Sequence, residues 1–114
     1  MDALVRILGA VDIVQLPQRL DAAAAPALRQ QVADMVQRGR VRLILDLSAV
    51  KSCDSSGLSV LVSALKAARA ANGDVMLLRL SSPARTFIEL TRLHQAFRIF
   101  EDEAAAVAAF AIGA

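Results

Sequence analysis

The sequence holds a single cysteine and a single histidine. Cys53 has no second thiol with which to close an intrachain disulfide, and Cys53 with His94 falls short of an internal zinc site. No cofactor is expected. No apolar run approaches the roughly 20 residues that a membrane-spanning helix needs, because charged or polar groups interrupt each candidate. Residues 1–10 lack the basic start, continuous apolar stretch and small-residue cleavage site of an export signal, so the expectation is a cytoplasmic protein without membrane insertion. Tryptophan and tyrosine are absent, and no aromatic platform interleaves with Arg29, Arg38, Arg40 and Arg42. These arginines read as a solvated face rather than a nucleic acid surface, in keeping with a formal charge of only +2. Neither phosphate-cradling glycine motif occurs, and no Gly-x-Ser-x-Gly elbow supports a serine hydrolase.

What is present is aliphatic. Hydrophobic residues make up 56% of 114 positions, a length that suits one domain spanning 1–114. Leu4 to Leu8 and Val11 to Leu16 are short apolar segments joined by Gly9-Ala10, which predicts an antiparallel hairpin. Asp21 and an alanine run with Pro26 in its first turn start a helix on which Leu28, Val32, Met35 and Val36 recur at helical spacing, with Gly39 to end it. Val41 to Leu47 reads as a strand buried on both faces. A second helix begins at Asp54-Ser55-Ser56-Gly57, carries Leu58, Leu61, Leu65 and Ala68 on one stripe, and stops at Asn72-Gly73. Val75 to Leu80 repeats the buried-strand pattern. Ser82-Pro83 then caps a third helix running to about Leu93. Arg98-Ile99-Phe100 is a short strand, and Asp102 caps a last helix bearing Val107 and Phe110. The alternation predicts an α/β fold: a mixed sheet of about four to five strands behind an antiparallel hairpin, covered by about four helices.

Several independent signals meet at one place, the end of Val41 to Leu47, its exit loop and the turn Asp54-Ser55-Ser56-Gly57. Strand carboxyl ends and helix amino ends form sites in open α/β sheets. An anion on a serine of the first helical turn would meet unpaired N–H groups and a positive partial charge. Taken alone, Asp54, Ser55 and Ser56 also serve as ordinary capping residues. Gly57 either leaves Ser56 open to another protein or is a backbone convenience. Cys53 reads as a packing residue, and His94 as a surface or helix-end residue.

Asp46-Leu47-Ser48, a short spacer and Asp54-Ser55-Ser56-Gly57-Leu58 together resemble the signature of STAS domains of the bacterial anti-sigma factor antagonist class. The order of elements, Asp21 after the second strand, and Asn72-Gly73 extend the resemblance across nearly the whole chain. It implies that Ser56 is the phosphoacceptor, that Asp54, Ser55 and Gly57 shape its turn, and that Asp21, Asp54, Ser55, Ser56, Gly57 and Leu58 form the partner surface. It further implies a non-enzymatic partner switch. The unphosphorylated protein would bind an anti-sigma factor that is also a serine kinase, and so free a sigma factor; phosphorylation would end the association and a serine phosphatase would restore it. The alternative within the same resemblance is a constitutive adaptor subunit of a lipid-transport ABC complex. Two positions depart from the pattern: Gln18-Arg19-Leu20 stands where Gly-Glu-Leu is common, and Thr91-Arg92-Leu93 where Ser-Gly-Leu is frequent.

Overall fold

The computed structural model describes residues 4–113, with side chains through Ala111, so the parts of the sequence-based expectations that fall on residues 1–3 and 114 lie outside the described residues. Strand β1 (Leu4–Leu8) and strand β2 (Val11–Gln15) form the expected antiparallel hairpin. Gly9 supplies its turn at φ 62°, a conformation open to glycine at little cost. After a two-residue β3 (Arg19–Leu20) and helix α1 (Ala25–Gln37), strand β4 (Arg42–Asp46) lies parallel to β2. A second two-residue strand, β5 (Ser52–Cys53), leads into α2 (Ser55–Ala70), and β6 (Asp74–Leu78) returns parallel to β4. Helix α3 (Ser82–Leu90), a 3-10 turn at Leu93–Gln95, β7 (Arg98–Phe100) and α4 (Glu103–Gly113) complete the order.

The main sheet runs β1-β2-β4-β6-β7, a five-stranded mixed sheet that is antiparallel only at its first pair. Because side chains alternate across a strand, its two faces feed two separate cores. Val14, Leu43, Leu45, Val75 and Leu77 pack beneath α1, α2 and α3. Ile13, Ile44, Met76 and Leu78 pack on the other face with Ala106, Ala109 and Phe110 of α4. Buried Asp12 is held by Arg40, whose Nε lies 3.1 Å from each carboxylate oxygen. Arg40 is thereby committed to the β1–β2 hairpin, where it also donates to Gly9 O at 2.9 Å. Arg29 lies in the second turn of α1, and Arg38 caps its carboxyl end.

Several boundaries differ from the sequence reading, each for a local reason. The cap of α3 is Ser81, whose Oγ accepts from Ala84 N at 3.3 Å and donates to Val50 O at 2.6 Å; Ser82 is already the first helical residue. That helix stops at Leu90, earlier than Leu93, because Thr91 Oγ1 donates back to the carbonyls of Phe87 and Ile88 and Arg92 turns left-handed at φ 61°. Arg92 occupies the position where glycine is frequent in the resembling family, and it adopts the backbone that glycine tolerates best. At the end of α2 the pair Asn72-Gly73 divides its work. Asn72 takes the left-handed conformation at φ 67°, while a Cβ on Gly73 would stand 2.0 Å from Val41 O.

Candidate functional site

The strands β2, β4 and β6 end level with one another, Gln15 opposite Asp46 and Asp46 opposite Leu78. The loops beyond these carboxyl ends carry the signature. Asp46 itself is buried and organises its own exit: Oδ1 accepts from Ser48 N at 2.9 Å, and Oδ2 lies 3.3 Å from an Arg79 guanidinium nitrogen. Leu47 and Val50 then anchor the loop in the core. Ser52 and Cys53 pair in parallel with Arg19 and Leu20, a two-stranded ladder separate from the main sheet. Two residues are too few to show a period, so the sequence carries no sign of it. Its effect is to bring the stretch before α1 against the start of α2.

Asp54 locks that junction. Its backbone is extended, its N–H donates to Leu20 O at 3.2 Å, and its carboxylate bridges two segments. Oδ1 accepts from Gly57 N at 3.1 Å, capping α2, while Oδ2 accepts from Ala22 N at 3.3 Å, across to the Asp21 loop. Asp21 folds its own loop in the same manner, its Oδ1 accepting from Ala23 N at 3.1 Å and Ala24 N at 3.2 Å. Arg19 reaches Asp21 at 3.4 Å. This ion pair is exposed and contributes little to stability, but it places the reversed charge at Arg19 beside the site. A groove of about 710 Å³ opens next to it, walled by Leu16, Pro17, Arg19, Asp21, Ala24 and Ala49.

The six residues assigned to a partner surface thus divide. Ser55 is exposed, and Asp21, Asp54 and Ser56 are half-buried around one helix start. Gly57 and Leu58 face inward. Leu58 belongs to the core at 6% exposure and offers a partner no surface. A Cβ on Gly57 would stand 2.1 Å from Leu20 O and 2.7 Å from Leu20 Cγ, so the glycine permits α2 to press on β3. Of the two roles open for Gly57 in the sequence, the geometry shows the backbone one. Ser56 Oγ engages in no hydrogen bond among the described residues, whereas Ser59 Oγ, one turn on, accepts from Arg29 at 2.9 Å. Arg29 was legible only as part of a solvated helix face; its approach to α2 is a tertiary fact.

Cys53 is half-buried, and desolvation, with a smaller contribution from the Asp54 charge, pushes its thiol up to about 11. The unreactive thiol form therefore dominates near neutral pH. His94 is exposed in the 3-10 turn. Among the described residues no cluster of His, Cys, Asp and Glu could hold a metal ion, and no helix is long and apolar enough to cross a membrane.

Residues 3–106 match the model of the STAS domain family. A Bordetella bronchiseptica protein named as an anti-sigma factor antagonist, BtrV, is 30% identical over 91 residues, covering 80% of this chain and 78% of its own. Among solved structures, a Thermotoga maritima protein described as an anti-sigma factor antagonist superposes with a TM-score of 0.87 at 25% identity, covering 95% of this chain and 93% of its own. The antagonist SpoIIAA in its unphosphorylated form shares the fold at a TM-score of 0.82 and 18% identity, over 98% of this chain and 97% of its own. SpoIIAA has also been solved phosphorylated, at a TM-score of 0.74 and 19% identity over 92% and 96% of the two chains. With its element order, mixed sheet and signature turn all in place, the chain belongs to the STAS domain family, among relatives that carry the name anti-sigma factor antagonist.

Proposed function

We propose that this protein is an anti-sigma factor antagonist whose binding to an anti-sigma factor is controlled by phosphorylation of Ser56. The observation that carries the reading is the Ser56 hydroxyl: half-exposed, free of side-chain hydrogen bonds among the described residues, and held in the first turn of a helix whose start is pinned by Asp54. The relatives' names agree with it. A partner would dock on the rim formed by Asp21, Asp54, Ser55 and Ser56. Leu58 and Gly57 support that rim from beneath.

Phosphorylation would require a serine kinase, the anti-sigma factor itself in this reading. Ser56 Oγ attacks the γ-phosphorus of ATP, its proton passes to the kinase's base, and ADP leaves. The product adds about −1.5 to −2 charges and three acceptor oxygens. Helix-terminal N–H groups tolerate that charge locally, while the docked partner would meet repulsion and a desolvation cost. The fold stays, and the surface changes. A serine phosphatase would restore the binding form by hydrolysing the ester. The protein acts as ligand and substrate, not as catalyst, in the cytoplasm and without a cofactor.

Incubation with the cognate kinase and ATP is expected to place one phosphate on Ser56, as read by peptide mass mapping, and to leave Ser56→Ala unlabelled. Label confined to Ser55, Ser59 or any other residue would refute the assignment. Co-purification with a transporter ATPase, and with no kinase-type ATPase, would instead assign the adaptor role.

A further inference from the structure

Helices α1 and α2 each connect parallel strands of the sheet, β2 to β4 and β4 to β6, and they lie on the same face. They therefore run side by side in the same direction, with their amino ends together. Arg29 projects from the second turn of α1, and one of its terminal nitrogens donates to Ser59 Oγ on the second turn of α2 at 2.9 Å. Ser59 and Ser56 are three residues apart on one helix. Their side chains are neighbours, with Cβ atoms about 5–6 Å apart. Arg29 is exposed and has no carboxylate partner among the described residues, unlike Arg6, Arg19, Arg40, Arg69, Arg79 and Arg85.

We propose that Arg29 receives the phosphate when Ser56 is phosphorylated, leaving the Ser59 hydroxyl and pairing across the α1–α2 seam with the phosphate oxygens. This rests on Ser56 being the phosphorylated residue. A neutral hydroxyl is a weak hold on a guanidinium. A dianion one turn away is a stronger acceptor and can engage two N–H groups at once. The step from Ser59 to Ser56 needs only rotation about the outer torsions of an exposed side chain. The modified serine would then be drawn toward α1, its charge partly neutralised within the protein itself, and the two helices clasped together. This accounts for how the fold can carry a dianion at a packed helix start without loosening.

The test uses full-length protein with phosphoserine genetically encoded at position 56, so that no kinase is needed. The second ionisation of the phosphate is followed by phosphorus NMR across pH. A nearby cation favours the dianion and lowers the midpoint of that titration. Arg29→Gln is expected to raise the midpoint by about half a pH unit or more relative to the parent that retains Arg29. Arg29→Lys is expected to stay closer to that parent, because it retains the charge. Ser59→Ala removes the present hydrogen bond but keeps the guanidinium, and is expected to leave the midpoint where it is or lower it. Identical midpoints in the parent and in Arg29→Gln, or a rise in Ser59→Ala equal to that in Arg29→Gln, would overturn the proposal. Either result would leave the partner switch standing. Conversely, phosphorylation found elsewhere in the cell would leave the measured ion pair intact and remove only its use.

Discussion

Gly57→Ala is expected to cost about 3 kcal/mol of stability, far more than one methyl group commonly costs at a helix start. The added Cβ would stand 2.1 Å from a backbone oxygen, and that oxygen, Leu20 O, also accepts from Asp54 N. Neither side can yield cheaply. Moving β3 away disrupts its pairing with β5, and lifting α2 exposes Leu58 and Leu61, each of which contributes about 1.5–3 kcal/mol by burial. In a chain of this length the loss corresponds to a fall in melting temperature of roughly 10 °C or more. Urea denaturation checks it, with Ser55→Ala as the exposed control, expected within about 0.5 kcal/mol of the parent. A change below about 1 kcal/mol in Gly57→Ala would mean that the contact with Leu20 is not under compression.

Ser56→Glu is expected to weaken binding to the anti-sigma factor about 100-fold, or about 2.7 kcal/mol, whereas Ser56→Ala should stay within about threefold of the parent. The difference follows from what each change removes. Ser56 Oγ has no intramolecular hydrogen bond to lose among the described residues, so alanine leaves the helix start as it was. Glutamate puts a charge on a half-buried position that a docked partner would close over, and desolvating that charge costs several kcal/mol even with Arg29 nearby. Fluorescence anisotropy with labelled partner separates the two variants. Equal affinities for Ser56→Ala and Ser56→Glu would place the contact elsewhere on the surface.

The elements that were legible in the sequence are those whose signal is local. Val41 to Leu47 announces a strand buried on both faces because five aliphatics fall within seven residues, and β4 occupies its centre. Gly9 and the Asp54 turn follow from backbone preference and capping chemistry, and both are where expected. The hidden features depend on residues distant in the chain. The β3–β5 ladder joins residues 19–20 to 52–53 and has no periodicity of its own. Gly57 could not be assigned a direction until Leu20 was known to lie behind it, whereas Leu58, already on the apolar stripe of its helix in the sequence, is core as that stripe predicts. Ser81 and Ser82 are equally good caps by type; the carbonyl of Val50, 31 residues away, accepts from Ser81 and selects it. Arg29 is hidden in the same way, an ordinary surface arginine in the sequence that crosses to α2 in the fold.

On the proposed reading, one phosphate on Ser56 changes what binds to an otherwise unaltered protein. Isothermal titration of the anti-sigma factor with two preparations, one carrying serine at position 56 and one fully phosphoserine, tests it most directly when circular dichroism shows both to be equally folded. Tight binding by the first and a loss of about 100-fold or more in the second is the predicted result. Equal dissociation constants for the two preparations would contradict it.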